Sequence, residues 1–104
     1  MDKEAFRRIG LVVNDELARA IEKFPEWPND LCHALAIVGE EFGELQKAVL
    51  EYLYDDQKPA VAGFSDIREE ALQLAAVALR FIAGIEQYDW IESDQHSHVE
   101  GLVE

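Results

Sequence analysis

A single cysteine, Cys32, leaves no partner for an internal disulfide and too few thiols for a cysteine-rich zinc site, and it suits a reducing compartment. Basic residues are scarce. Nine Lys and Arg stand against 22 Asp and Glu, a formal net charge of −13. A surface of that sign repels DNA, RNA and anionic lipid, so neither a nucleic-acid polymer nor a membrane is expected as partner. An anionic small molecule would need a local positive source, for which a bound divalent cation is the obvious candidate. No apolar run approaches the ~20 residues of a membrane span. The N-terminus has no basic-then-apolar signal segment. The expectation is a soluble, cytoplasmic protein. Strand-like alternation and internal repeats are missing too, which leaves helix-on-helix packing as the fold class.

The few glycines and prolines mostly punctuate helical stretches. From Lys3 to Phe24, the apolar residues Phe6, Ile9, Val13, Leu17, Ala20 and Phe24 recur at steps of three and four, a helical stripe. The run Pro25-Glu26-Trp27-Pro28-Asn29 breaks it. Asp30 can cap a second helix over Leu31 to Tyr54. Asp55 to Ser65, with Asp-Asp, Lys58-Pro59 and Gly63, reads as a connector. A third helix is expected over Ile67 to Ile85, with Asp66 as cap and Glu69 completing a capping box. A short fourth helix is expected over Tyr88 to Ser93. The predicted organisation is one all-α domain over residues 1–94, a bundle of three to four helices, followed by a polar acidic tail over 95–104. Leu35, Leu50, Leu72 and Leu79 lie off the main apolar arcs. They suggest a second buried face, and hence a homodimer or homotetramer.

The informative charges are those in the wrong place. On a wheel of about 100° per residue, Ala34, Ile37, Val38, Leu45, Ala48, Val49 and Tyr52 form the apolar arc of the second helix. Glu41 falls in its middle and Glu44 at its edge. On the third helix, Ile67, Leu74, Val77, Ala78, Phe81 and Ile85 form the arc, with Glu70 in its middle and Gln73 at its edge. An unpaired carboxylate aimed at a core costs several kcal/mol, and neither arc centre carries a Lys or Arg to offset it. A cation bound between the two helices explains both residues together. Side chains at i and i+3 share one helical face, and hard oxygen donors select Mg²⁺ or Mn²⁺, with Ca²⁺ also admissible. Cys32 is expected to be a small buried hydrophobe. Trp27 and Trp90 are expected to be partly buried core or interface aromatics, with stacking on a planar ligand as the alternative. His96 and His98, in the polar tail, are assigned no role.

The run Glu40-Glu41-Phe42-Gly43-Glu44-Leu45 resembles the EExGEL signature of the MazG-like all-α nucleoside triphosphate pyrophosphohydrolases. Glu69-Glu70-Ala71-Leu72-Gln73 resembles that family's second element, EExxD. The likeness covers about Asp30 to Ile85. It implies metal ligands at Glu41, Glu44, Glu70 and Gln73, with Mg²⁺ as cofactor, and catalysis by Glu41, Glu44 and Glu70. Arg80 stands where such sequences often carry a basic residue that meets substrate phosphate, and Trp27 is the companion candidate for substrate binding. The implied reaction is hydrolysis of a nucleoside triphosphate between the α and β phosphates, a nucleotide-pool house-cleaning chemistry. The implied quaternary state is a homo-oligomer. One departure stands out: Gln73 occupies the position of the last acidic ligand. An amide oxygen coordinates Mg²⁺ but brings no charge. The alternative expectation is therefore a weakened or inactive helical homologue that binds metal, nucleotide or a protein partner.

Overall fold

Backbone capping divides the chain much as its sequence suggests. The structure, a computed structural model, describes residues 1–87. Their regular elements are three α-helices, α1 (Lys3–Lys23), α2 (Leu31–Tyr54) and α3 (Ala60–Glu86). The helix expected at Tyr88 to Ser93, Trp90, and the tail with His96 and His98 lie outside the described residues.

Asp2 caps α1 by accepting from the Ala5 amide at 2.7 Å. The helix ends at Phe24, whose amide donates to the Ala20 carbonyl at 2.8 Å, and Pro25 prevents a further turn. Asp30 then caps α2 through the Cys32 amide at 3.2 Å. Asp55 closes α2 and accepts from the Gln57 amide at 3.0 Å, an Asx turn.

The start of α3 corrects the expected connector. The helix begins at Ala60, behind Pro59, and not at Ile67. Pro59 sets a φ suited to a helix start. Gly63 is a packing residue here and not a loop residue: a Cβ at this position would lie 2.8 Å from Tyr52 Cδ1, so glycine lets α3 approach α2. Asp66 is consequently mid-helix and caps nothing. It pairs with Lys58 at 2.5 Å, and Lys58 also reaches Glu51 at 3.0 Å. One ammonium thus ties the last turn of α2 to the second turn of α3. Those two carboxylates raise the Lys58 pKa.

Residues 55–59 are too few for anything but an antiparallel α2–α3 hairpin. Helix α3 packs against both α1 and α2, which do not touch each other. The arrangement is open. The radius of gyration is 17.4 Å, against about 13 Å for a compact domain of ~100 residues. Alanines alone form the buried apolar core of the described residues: Ala34, Ala48 and Ala76. Large apolar side chains stay outside, among them Leu35 (59% exposed), Phe42, Leu53, Phe64 and Ile82. Leu50 and Leu79 are exposed as well, whereas Leu72 is half-buried, so three of the four leucines read as a second apolar face are uncovered by this chain's described residues. Cys32, expected to be buried, is exposed, because it sits in the first turn of α2 on the side away from α3. No helix of the described residues is long and apolar enough to cross a membrane.

Candidate functional site

Small residues at seven-residue intervals bring α2 and α3 together, and each series is interrupted by a glutamate. On α2 the series is Ala34, Glu41, Ala48; on α3 it is Gly63, Glu70, Val77, Gly84. Ala34, Ala48, Gly63 and Gly84 are buried. A seven-residue step returns to nearly the same helical face, so Glu41 and Glu70 are held in the seam by the contacts of their neighbours. Both are half-buried. The Glu70 Oε2 atom is shut off from solvent and accepts no hydrogen bond.

The electrostatics reflect this placement. Burial, followed by the charges of Glu70, Glu40 and Glu44, raises the Glu41 pKa. Burial, followed by Glu44, Glu69 and Asp66, raises Glu70, with Lys47 opposing. Glu41, Glu44 and Glu70 thus lie within electrostatic reach of one another, across two helices. They are not a ready-made cage. Among the described residues no three His, Cys, Asp or Glu groups stand close enough together to hold a metal ion as they are. Glu44 itself is exposed, and Asp66, a possible substitute for the missing acidic ligand at Gln73, is committed to Lys58.

Beside the seam opens a cleft of about 1160 Å³, bounded by the end of α1, the α1–α2 linker, the first turns of α2 and the middle of α3. Drug-sized ligands occupy sites of roughly 300–1,000 Å³, so a nucleotide-sized molecule has room. Four of the residues singled out from the sequence line this cleft: Glu41, Gln73, Arg80 and Trp27. Glu44 and Glu70 do not; they stand in or beside the seam behind it.

Arg80 is already engaged. Its guanidinium donates to the Phe24 carbonyl at 2.7 Å and, more weakly, to the Ala20 and Glu26 carbonyls at 3.4 Å each. It also stacks 5.0 Å from the Trp27 ring centroid. Burial lowers its pKa, yet a guanidinium stays charged. Arg80 therefore satisfies the Phe24 carbonyl just beyond the end of α1 and ties α3 to the linker that carries Trp27. Its sequence position suggested a phosphate contact; this clamp depends on contacts more than fifty residues away and has no local signature. Sequence reasoning also passed over Arg19 and Lys23 of α1, which line the same cleft, because nothing in the chain announces that α1 ends against α3. Comparisons with protein families, curated proteins and solved structures return no match for this chain.

The raised carboxyls have a measurable consequence for stability. A folded-state pKa above the unfolded value of about 4.3 means that the folded form holds the proton more tightly. The associated stabilisation is complete below that unfolded pKa and is lost as pH rises through the folded one. With divalent cations chelated, Glu70→Gln, which mimics the protonated acid, stabilises the fold at pH 7 by on the order of 1 kcal/mol or less for a partly solvated group, and raises the melting temperature accordingly. The difference from wild type closes towards pH 4. Thermal unfolding followed by circular dichroism across that range measures it, and a variant less stable than wild type at pH 7 contradicts this reading of the seam.

Proposed function

We propose that this protein is a Mg²⁺-dependent nucleoside triphosphate pyrophosphohydrolase of the MazG-like kind, active in the cytoplasm in nucleotide-pool house-cleaning. The observation that carries the reading is the pair of seam glutamates. Glu41 and Glu70 are drawn from two helices into the same partly dry space, each raised by burial and by neighbouring carboxylates, beside a cleft large enough for a nucleotide. A solvent-excluded carboxylate oxygen on Glu70 without a hydrogen-bond partner fits a cation ligand, and the all-oxygen donor set fits Mg²⁺ or Mn²⁺.

In this reading Glu41, Glu44, Glu70 and the Gln73 amide oxygen hold the cation. When bound, Mg²⁺ supplies positive charge against the phosphate oxygens and the charge that develops on them. Glu44, exposed and one turn from Glu41, is either one of those ligands or the group that orients the attacking water and takes its proton. Water oxygen bonds to the α-phosphorus while the bond from that phosphorus to the bridging oxygen breaks, which yields a nucleoside monophosphate and pyrophosphate. Glu40 and Glu69 are placed to steady the ligands, and Trp27 offers an aromatic face to a base.

A second reading is favoured by two observations. Gln73 stands where the family pattern has an acid, and no three ligand-type groups are pre-assembled among the described residues. On that reading the chain is a weakened or inactive homologue that binds metal, nucleotide or a protein partner. Assaying pyrophosphate release from a panel of nucleoside triphosphates with Mg²⁺ separates the two. Pyrophosphohydrolysis predicts release that Glu41→Gln and Glu70→Gln lower by about 10² or more, and Gln73→Asp is expected to tighten Mg²⁺ binding and raise turnover. Absence of release from every triphosphate leaves the binding reading.

The proposed working form is a homodimer or homotetramer. A core of alanines removes too little apolar surface to offset the entropy of ordering ~90 residues. The exposed face of α2 and α3, with Leu35, Phe42, Leu53 and Ile82, would be covered by another copy, completing a four-helix core. Light scattering is expected to give two or four chains, and the melting temperature to climb with protein concentration. The double variant Leu35→Glu/Leu53→Glu is expected to dissociate and lose helicity. A wild-type monomer whose melting temperature is independent of concentration contradicts this.

A further inference from the structure

The seam glutamates account for a cation but not for recognition of the outer phosphates. Five carboxylate residues and three cationic ones, Arg19, Lys23 and Arg80, line the cleft. Even with one divalent cation added, a polyphosphate entering it needs positive side chains that are free to turn towards it. Arg80 is not free, because its donors face the carbonyls of Ala20, Phe24 and Glu26.

Arg19 and Lys23 remain, and three features fit them for the task. They stand four residues apart on α1, so their side chains lie one above the other along the same edge of the cleft. Neither is locked in place. Arg19 donates through Nε and Nη2 to the largely covered Glu16 one turn earlier, the shorter contact 2.6 Å, but its own side chain is 66% exposed and its partner lies on the same helix. Lys23 makes no ion pair among the described residues, and its ammonium rests 5.5 Å from the Phe24 ring centroid. Lastly, the C-terminal end of a helix ordinarily repels anions, because its open carbonyls carry negative partial charge. Here the Arg80 guanidinium donates to the Phe24 carbonyl at 2.7 Å, which offsets part of that repulsion at the end of α1 that carries Lys23.

We propose that Arg19 and Lys23 form the polyphosphate-recognition edge of the cleft and meet the β and γ phosphates of a nucleoside triphosphate bound with its α phosphate towards Glu41. The proposal rests on reading the cleft as a pyrophosphohydrolase site. It assigns selectivity for triphosphates over monophosphates to α1, outside both glutamate motifs.

The test compares the intact protein with Arg19→Gln/Lys23→Gln and with Arg7→Gln/Arg8→Gln, which makes the same charge change elsewhere on α1. Binding of inorganic tripolyphosphate with Mg²⁺ is measured by calorimetry, and pyrophosphate release gives KM and kcat. The Arg19/Lys23 variant is expected to bind tripolyphosphate about tenfold or more weakly and to raise KM similarly. Its kcat should stay within about threefold, the pattern for lost uniform binding. Nucleoside monophosphate affinity and melting temperature should be unchanged, and the Arg7/Arg8 variant should match wild type throughout. If the two variants behave alike while wild type releases pyrophosphate, the recognition edge is overturned and the pyrophosphohydrolase reading stands. If wild type neither binds tripolyphosphate nor releases pyrophosphate, both fall.

Discussion

Two like charges share the seam between α2 and α3, and the surrounding structure keeps them there. Glu41 cannot turn away easily, because Ala34 and Ala48, one heptad to either side, are buried against α3. On α3, Gly63, one heptad before Glu70, lies against Tyr52 of α2. The clamp of Lys58 on Glu51 and Asp66, and the seat of Tyr52 over Gly63, hold the hairpin closed at its loop end. Opening the seam to hydrate the carboxylates would break those contacts; keeping it closed leaves both carboxyls with raised pKa values. A cation placed between them would relieve this conflict, and this is the physical basis of the functional proposal.

The same economy of small residues explains the open shape. Alanine and glycine allow two helices to approach, but they bury little area each. Many of the chain's larger apolar residues lie on faces that nothing in the described residues covers. The half-buried glutamates and the exposed leucines are thus two results of one constraint: a seam lined by small residues gives up the bulky core that a lone domain of this size requires.

Much of this was legible in the chain. The wheel positions of Glu41 and Glu70 predicted their inward placement, since helical periodicity is a local property. Asp30 marked the start of α2 and Tyr54 its end. The beginning of α3 was not legible, because Pro59 and Gly63 carry loop chemistry by composition. Only the contact of Tyr52, on another helix, reveals Gly63 as a packing residue. Cys32 was misjudged from the habits of its residue type, whereas its exposure follows from which side of α2 meets α3. The engagement of Arg80 with the end of α1, and the place of Arg19 and Lys23 on the cleft, depend on tertiary contacts that no spacing in the sequence encodes.

The central claim, that the seam carboxylates are kept for a divalent cation, is tested most directly by thermal unfolding in excess Mg²⁺ against chelator, with monovalent salt at matched ionic strength as control. A site formed only in the folded state predicts a gain of about 2.7 kcal/mol at a hundredfold excess over Kd. It also predicts no comparable rise with monovalent salt, which only screens, and the loss of most of the gain in Glu70→Gln. An equal rise with both salts, or a Mg²⁺ response in Glu70→Gln as large as in wild type, would contradict it.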